Sequence, residues 1–329
     1  MDPQVSLALR RRHGRPASAE VLAAETGLSP TAVTAAVDEL TRQGFQVESH
    51  PMLGFRLVAV PDGLREDEVA WGLAVSRVGR RVCCAGAVTS TNDTAWESAE
   101  RDAEGADGLA VLAEHQSAGR GRRGNRWLSP PHASVLCSVV LRVPGAPGRG
   151  AVLTRAAAVA VAAAIEDQCR LDVGIKWPND LVIDGRKVGG ILVEARPGPG
   201  GTGPVVIGAG INCTQRPEAF PPALRPQAGS LAMWGEAVDR TLLARSLLER
   251  LDAAIAAMDT AGGVADLGCQ AVARCRTLGS RVVLSEEGVG YEGEVVDLDP
   301  EYGLVLRLAG GELRRFEPMT THVITQPTP

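Results

Sequence analysis

Gly119-Arg-Gly-Arg-Arg-Gly-Asn-Arg-Trp127 follows a strand-like segment and decides which kind of fold this chain can have. Its first six residues match the G-x-G-x-x-G pattern of a dinucleotide-binding turn in a doubly wound α/β fold. That turn must open a helix and must be followed, about 20 residues later, by an acidic residue on a strand. The segment from Asn125 to Pro131, which ends in two prolines, cannot begin a helix, and no such acidic residue follows. We therefore reject a dinucleotide-binding turn at this position.

The glycines and arginines of this run instead predict a loop that closes over an anionic ligand. Glycine lets the backbone bend and approach a ligand closely, and arginine offers planar donors to phosphate or carboxylate oxygens. Trp127 adds a flat face for a ring. The alternative is a solvated basic loop on the surface.

A cluster of small polar side chains precedes this loop. Ser90, Thr91 and Asn92 follow a strand-like run and could hydrogen-bond a small polar head such as a ureido ring, and Gln116 could add one more polar contact. The same Ser-Thr-Asn sequence is also a good helix cap, so the cluster alone leaves both interpretations open.

The segment Lys176-Trp-Pro-Asn-Asp180 predicts a turn after a strand, with Asn179 and Asp180 at its tip. Asp180 could hold Mg²⁺, which prefers oxygen ligands shared with nucleotide phosphates. A second turn at Asp184-Gly185 would direct Lys187 back to the same place. Alternatively, Asn179 and Asp180 only form the turn.

Two observations strengthen the functional interpretation. Of 34 basic residues only Lys176 and Lys187 are lysines, which favours a site that needs an ammonium group over chance. Farther along, Gly208-Ala-Gly-Ile-Asn212 ends a strand with small residues that would let backbone N–H groups and Asn212 approach a ribose or phosphate, although such strand ends are common.

The N-terminal segment predicts a winged helix-turn-helix. Residues 4–58 have the pattern of helix, helix, turn, helix and two-stranded hairpin. Ser18 caps one helix, and Ser29-Pro30 supplies the cap and first residue of the next. That third helix runs to Gln43 with Val33, Val37 and Leu40 on its buried face.

The remainder divides into three predicted parts. A linker helix over 62–79 leads from the winged helix-turn-helix of 1–61 to a domain over 80–272 that alternates strand and helix patterns. From 276 to 327, short strands separated by glycine-rich turns predict a small β-barrel.

The composition limits the classes of protein to which this chain can belong. The chain has 329 residues, 45% hydrophobic and 22% charged, which suits a folded protein of two or three domains. No apolar run is long enough to span a membrane and no signal segment precedes the fold, so we expect no membrane association and a cytoplasmic location. The seven cysteines show no disulfide or zinc pattern, and we expect them to be reduced and to fill the core.

Taken in order, these motifs resemble the biotin protein ligases, over roughly residues 80–325. The matching segments are Ser90-Thr-Asn92, Gln116, Gly119-Arg-Gly-Arg-Arg-Gly124, Lys176-Trp-Pro-Asn-Asp180, Lys187-Val-Gly-Gly190 and Gly208-Ala-Gly-Ile-Asn212. The winged helix is similar to that of the bifunctional members, which also repress biotin operons. The resemblance implies an α+β multidomain fold, in which a mixed sheet with helices, similar to class II aminoacyl-tRNA synthetases, is followed by an SH3-like barrel.

The resemblance also implies a reaction. In this family ATP and biotin give biotinyl-5′-AMP, and a lysine of a biotin carboxyl carrier domain of a biotin-dependent carboxylase then takes the biotin. Mg²⁺ would accompany ATP, operator DNA would be a second partner, and homodimers would form when the adenylate is bound.

Roles for individual residues follow from the resemblance. Biotin binding is implied for Ser90, Thr91, Asn92, Gln116, Arg120, Gly121, Arg122 and Lys187. Catalysis is implied for Lys187, Arg120, Arg122 and Asp180. Nucleotide binding is implied for Arg123, Trp127, Lys176, Asn179, Gly210 and Asn212, with Asp180 as the candidate Mg²⁺ ligand.

Two other functions compete with this one. A lipoate or octanoate ligase would share the fold and chemistry, but the arginine loop and Lys176-Trp-Pro-Asn-Asp180 argue against it. A DNA-binding regulator that only senses biotin is the other, and Lys187 and Asp180 argue against lost catalysis. Residues 1–61 carry six arginines and six acidic residues, a poor balance for binding phosphates, which Arg10-Arg-Arg12 and Arg56 could compensate.

Overall fold

The computed structural model describes residues 3–61, 63–235, 238–299 and 301–325. Residues 1 and 62, at which two of the predicted domains begin, and residues 326–327, at the end of the last one, lie outside this part of the chain. In the described part, no helix is both long and apolar enough to cross a membrane.

The N-terminal unit contains three helices and a hairpin, in the order that the sequence predicts. Its elements are α1 (Gln4–Arg10), α2 (Ala19–Thr26), α3 (Pro30–Arg42), β1 (Gln46–His50) and β2 (Gly54–Ala59).

Local sequence explains where these helices begin and end. The Ser29 hydroxyl accepts a hydrogen bond from the Ala32 N–H at 3.1 Å and caps α3, whose first residue is proline. Gly27 ends α2 with a φ of 71°, a conformation that glycine adopts without strain. The predicted inner face of α3 lies in a small core that also holds Leu9, Leu22 and Phe45. The unit therefore has a core of its own.

The central unit is built on a seven-stranded mixed sheet. Its strands are β3 (Arg81–Val88), β4 (Leu109–Gln116), β5 (Ser134–Pro144), β6 (Gly174–Lys176), β7 (Asp180–Ile183), β8 (Arg186–Ala195) and β9 (Thr202–Asn212). Their order is β3-β4-β5-β9-β8-β7-β6, with β3 and β4 parallel and all other neighbours antiparallel.

Helices pack around this sheet. They are α4 (Glu66–Ala70), α5 (Thr91–Arg101), α6 (Gly150–Cys169), α7 (Arg240–Ala257) and α8 (Ala261–Arg274). The alanine-rich α6 is buried over most of its length and belongs to the main core, whereas α5 covers a separate cluster with Trp96. The main core continues into the C-terminal strands through Trp177, whose indole N–H donates to the Tyr302 carbonyl at 2.9 Å.

The C-terminal strands form an antiparallel sheet, and it is not closed. They are β10 (Arg281–Glu286), β11 (Val289–Leu298), β12 (Leu304–Leu308), β13 (Leu313–Phe316) and β14 (Thr321–Thr325), in the order β13-β12-β11-β10-β14. No pairing joins β13 to β14 among the described residues, so a closed barrel is not observed. The turn between these two strands is instead occupied by contacts with the central unit, described below.

Three further features of the structure differ from what the sequence predicts. The linker helix is short, because only Glu66–Ala70 is helical and the next segment is held by Asp252, whose carboxylate accepts the N–H groups of Ser76, Arg77 and Val78 at 2.6, 2.9 and 2.7 Å. Helices α5 and α8 were not predicted. Of the seven free cysteines, Cys83 and Cys269 are exposed, so not all of them fill the core.

A buried ion-pair network joins the N-terminal unit to the central unit. Arg10, at the end of α1, is 4% exposed and pairs with Glu68 of α4 and Asp239 before α7, each at 2.8 Å. Burial lowers the pKa of Arg10, but the charges and hydrogen bonds of Asp239 and Glu68 outweigh burial and raise it overall. Arg10 is therefore committed to this interface and is not available to DNA, contrary to the prediction for Arg10-Arg-Arg12.

We expect Glu68→Ala to lower the free energy of unfolding by roughly 3 kcal/mol, because it removes one partner of a buried ion pair. Urea denaturation of the full chain measures the effect, with Glu66→Ala, an exposed neighbour on α4, as control. Equal stability of the two variants would contradict a structural role for the pair.

Candidate active site

A cavity of about 380 Å³ opens where the arginine-rich loop meets the edges of β8 and β9. It is lined by the beginning of α5, the end of β4, the loop from Arg120 to Trp127, the β6–β7 turn and the end of the chain near His322. Of the predicted site residues, these line it: Ser90, Thr91, Asn92, Gln116, Arg120, Gly121, Arg122, Arg123, Trp127, Lys176, Asn179, Asp180, Lys187 and Gly210. The fold thus gathers predicted site residues that are separated by up to 120 positions along the chain.

Asn212 is the predicted site residue that the structure does not bring to this cavity. It is 5% exposed, and its amide nitrogen donates to the Gly229 carbonyl at 2.9 Å while its oxygen accepts from Gln215 at 3.2 Å. The segment through Gly229 covers this end of β9, so the polar groups of Asn212 serve the fold.

The polar end of the cavity lies at the start of α5. Ser90 caps that helix, since its hydroxyl accepts from the Asn92 N–H at 3.3 Å. The Thr91 N–H and hydroxyl both donate to the Gln116 side-chain oxygen, at 2.7 and 3.0 Å. Buried Ser138 of β5 places its hydroxyl 2.7 Å from the Thr91 hydroxyl and 2.6 Å from the Asn92 oxygen. Helix cap and polar cluster, which the sequence left as alternatives, are the same residues.

Close backbone approach fixes Asn92. A Cβ on Gly208 of β9 would lie 2.3 Å from the Asn92 side-chain oxygen, so only glycine fits opposite it. The Asn92 amide nitrogen donates to Glu194 at 2.8 Å, and the Trp96 indole N–H donates to the same oxygen at 3.1 Å. Sequence reasoning missed Ser138 and Glu194. A serine within the apolar run of β5 and an acidic residue at the end of the apolar run of β8 were the available signals.

The arginine-rich loop is a short closed turn. The Gly121 N–H donates to the Asn125 carbonyl at 2.7 Å, and the Trp127 N–H donates to the Gly119 carbonyl at 2.9 Å. A Cβ on Gly119 would lie 2.6 Å from the Trp127 carbonyl oxygen. The residues between include one 3₁₀ turn, Arg122–Gly124, and the segment from Asn125 to Pro131 contains no helix, as its double proline predicts.

The loop arginines have unequal partners. Arg120 pairs with Asp93 and with Glu194, the latter at 3.1 Å. Arg122 instead donates to the Pro318 carbonyl and lies 3.4 Å from the Asn179 oxygen, while Arg123 contacts the Thr320 carbonyl and the His322 ring. The loop is thereby attached to the turn between β13 and β14.

Arg122 carries a charge that no carboxylate of the described residues pairs with. Burial lowers its pKa, and neighbouring Arg123 lowers it further, whereas Asp180 and Tyr302 act in the opposite direction with less effect. A half-buried cation of this kind is stabilised by an anion, so the cavity favours a negatively charged ligand.

Lys187 and Asp180 form the other charged pair of the site. The Asp184-Gly185 turn has the positive φ angles of a tight hairpin, 47° and 75°, and directs Lys187 toward the β6–β7 turn. The Lys187 ammonium lies 2.5 Å from Asp180 and 5.6 Å from the centroid of the Trp127 ring. Asn179 is held in place by its amide, which donates to the Ile191 carbonyl at 2.9 Å.

Trp127 lies against two glycines that face each other across β8 and β9. Gly190 pairs with Gly210, and a Cβ on Gly210 would come within 2.6 Å of the indole. A Cβ on Gly190 would lie 3.3 Å from the same ring. The Trp127 indole nitrogen is buried and has no hydrogen-bond partner in the described part of the chain. Paired glycines therefore provide the space that this ring occupies.

Asp180 is the single carboxylate among the described residues that line the cavity. No group of three or more histidine, cysteine, aspartate or glutamate residues suited to a metal is found among the described residues. The donor set is therefore of the kind that holds Mg²⁺ only together with ligand phosphates.

Comparison with known proteins agrees with this geometry. Residues 85–212 match the Biotin/lipoate A/B protein ligase family. The bifunctional ligase/repressor BirA of Bacillus subtilis is 37% identical over 223 residues, which cover 68% of each chain. The biotin–[acetyl-CoA-carboxylase] ligase of Mycobacterium tuberculosis is also 37% identical, over 68% of this chain and 83% of its own.

A solved structure shows the same fold. The biotin protein ligase from Aquifex aeolicus in complex with biotin and ATP superposes with a TM-score of 0.64 at 22% identity, covering 74% of this chain and 98% of that one. The central mixed sheet thus matches that of a biotin ligase. With the sequence relationships, this similarity shows that the chain belongs to the biotin/lipoate A/B protein ligase family.

Proposed function

We propose that this protein joins biotin to ATP, giving biotinyl-5′-AMP, and transfers the biotin to a lysine of a biotin carboxyl carrier domain. One observation carries the proposal: a single cavity combines a buried cluster of small polar side chains with Arg122 and Arg123, which pair with no carboxylate of the described residues. Two relatives that are 37% identical over 68% of the chain support it: one is named a biotin–[acetyl-CoA-carboxylase] ligase and the other a bifunctional ligase/repressor.

The two ends of the cavity suit the two substrates. Hydroxyl and amide groups of Ser90, Thr91, Asn92 and Gln116 match the donors and acceptors of a ureido ring. The flat ring of Trp127 suits stacking with a purine, and Lys176, Asn179 and Arg123 would contact the rest of the nucleotide. Asn212, which is buried behind Gly229, is no longer part of this proposal.

The first step needs positive charge where the reactants meet. The biotin carboxylate attacks the α-phosphorus of ATP, a C–O–P bond forms, and pyrophosphate leaves with the electrons of the broken P–O bond. Carboxylate and triphosphate repel each other, so Arg122 and Lys187 lower the barrier by neutralising charge there, each by about 3 kcal/mol. Arg120 and Gly121 of the same loop would lie beside the reacting carboxylate.

Magnesium would enter with the nucleotide. Asp180 would hold it together with the phosphates, and the ion would shield their charge during adenylation.

In the second step the acceptor lysine, as a free amine, attacks the acyl carbon and AMP leaves. An acyl-adenylate is lost if water reaches it, so the intermediate needs a cover. The arginine-rich loop, attached to the β13–β14 turn through Arg122 and Arg123, is in the position to provide one.

A second function is favoured by the N-terminal unit. Its helix order and hairpin are those of a winged helix-turn-helix, and the Bacillus subtilis relative is named a ligase/repressor. We therefore propose that this unit binds operator DNA through α3. The protein would bind DNA as a homodimer, which forms when biotinyl-5′-AMP occupies the active site.

The charge on this face is low. The exposed residues of α3 are Pro30, Thr31, Thr34, Ala35, Asp38, Thr41 and Arg42. Arg42 pairs with Glu39, and Arg56 of the hairpin pairs with Glu48 at 3.1 Å. Because few cations are free to neutralise phosphates, we expect weak DNA binding that depends on ligand-driven dimerisation.

The finer architecture belongs to the same proposal. We assign 1–61 to a winged helix-turn-helix, 80–272 to a catalytic domain of class II synthetase type and 276–327 to an SH3-like domain, with 62–79 as linker. A cytoplasmic location is expected for an enzyme that acts on a biotin-dependent carboxylase.

Incubation with biotin, labelled ATP and a biotin carboxyl carrier domain should give biotinyl-adenylate and a biotinylated carrier. Lys187→Ala should slow adenylate formation about 100-fold, because it removes a cation from the reacting oxygens. Arg186→Ala, whose side chain contacts the Arg225 carbonyl outside the cavity, is the matched control and should keep the wild-type rate. Absence of both products in the wild-type protein would reject the function.

Arg122→Gly should release the intermediate at least about tenfold faster, because a charge-assisted contact and the attachment of the loop are both lost. Biotinylation of an unrelated bystander protein, such as serum albumin, measures the release. Arg196→Gly, in the β8–β9 loop and outside the cavity, should label no more bystander than wild type. Equal labelling by the two variants would exclude a covering role for the loop.

Repression is tested by gel retardation of the protein's own promoter at low salt, with biotin and ATP. The complex should form, and Thr34→Glu should weaken it at least about tenfold, since a carboxylate on the exposed face of α3 repels phosphates. Thr214→Glu, an exposed site on the central unit, should have no effect. Failure of the wild-type protein to retard the fragment would remove the repressor role.

A further inference from the structure

A second cavity, of about 800 Å³, lies where the N-terminal unit meets the central unit. Its walls come from α1 and the turn after it, the end of α2, the residues after α4, the end of α6, and α7. None of these residues belongs to the cavity of the proposed active site. The volume is in the range of sites that enclose a small molecule.

Positive charge dominates the lining. Five arginines face this cavity, and one carboxylate does: Arg11, Arg12, Arg15, Arg170, Arg245 and Glu25. Glu25 is already engaged, because it pairs with Arg12. Within the described residues, the side chains of Arg11, Arg15 and Arg170 have no ion-pair or hydrogen-bond partner. The structure thus concentrates cations here without counter-charges.

One buried arginine and one buried arginine nitrogen lack an anionic partner among the described residues. Arg245 is 4% exposed and donates to the carbonyls of Glu68 and Val69, at 2.8 and 2.9 Å, but forms no ion pair with a described carboxylate. Burial lowers its pKa most, and Arg11 lowers it too, while Glu249 and Glu68 act in the other direction. The Arg12 Nε is buried with no hydrogen-bond partner among the described residues.

An aromatic face completes the lining. Trp71, directly after α4, is 44% exposed and is the one aromatic side chain among the described residues that line this cavity, apart from the His13 ring. An indole beside several arginines offers a stacking surface next to phosphate donors, a combination that binds nucleotides. A simple inorganic anion would not use the ring.

We propose that this cavity is a second ligand site, specific for a polyphosphorylated nucleotide, with phosphates on Arg11, Arg15, Arg170 and Arg245 and the base on Trp71. Arg11 and Arg15 come from the N-terminal unit, and Arg170 and Arg245 from the central unit. A ligand held by both sets stabilises their docked arrangement, and by linkage anything that separates the units weakens its binding.

Isothermal titration of the full chain with GTP and with inorganic tripolyphosphate tests this site. The titrations use the Lys187→Ala background, so that the proposed active site contributes less. Arg11→Gln combined with Arg15→Gln should lower the affinity for GTP at least about tenfold, since two charge-assisted contacts are lost. Trp71→Leu should weaken the binding of GTP but leave the affinity for tripolyphosphate unchanged.

The control removes the same charge elsewhere. Arg281→Gln combined with Arg307→Gln, two exposed arginines of the C-terminal sheet, should keep wild-type affinity. An equal loss in this control, or no binding of GTP to the starting protein, overturns the proposal. The proposal is also overturned if the Arg11/Arg15 variant keeps its affinity for GTP, because the nucleotide would then bind elsewhere.

Nucleic acid is the other possible source of phosphates, and a random-sequence duplex distinguishes it. Loss of duplex binding in the Arg11/Arg15 variant, without any GTP binding to the starting protein, would overturn the nucleotide site and indicate a backbone contact. These outcomes are independent of ligase activity, because none of the measurements depends on biotin.

Discussion

The register of β9 between β5 and β8 is the constraint on which the proposed active site depends. Gly208 faces Ser138 on one side and Leu192 on the other, and Gly210 faces Gly190. This alignment places Gly208 against the Asn92 side chain, and it places Gly190 and Gly210 against the Trp127 ring. Because side chains alternate along a strand, a slip of one residue would turn Gly208 and Gly210 to the opposite face and close both spaces.

Much of this could be predicted because the signals are local. The Ser29-Pro30 cap, the Asp184-Gly185 turn and the buried face of α3 each depend on a few neighbouring residues, and the structure has them as predicted. The polar cluster and the two lysines stood out by residue type. Their convergence on one cavity followed from the family resemblance, since spacing along the chain says nothing about which strand ends meet.

What could not be predicted depends on distant contacts. Helix α8 contains three glycines, which weaken intrinsic helix propensity, and packing against α6 and α7 supports it. Arg10 looked like a cation for DNA until its partners, Glu68 and Asp239, were known to lie 58 and 229 residues away. Asn212 has the right residue type at the end of the right strand, and only the later segment through Gly229 removes it from the cavity.

Arg122 and Arg123 reach the β13–β14 turn through main-chain carbonyls, those of Pro318 and Thr320. A carbonyl is presented by every amino acid, so at these two contacts the arginines recognise the path of the turn and not its side chains; the ring that Arg123 also contacts, that of His322, lies in β14 and outside the turn. The turn is therefore free to change its sequence as long as it keeps its length and shape. Insertions or deletions there would displace the arginine-rich loop of the central unit, whereas substitutions would leave these two carbonyl contacts in place.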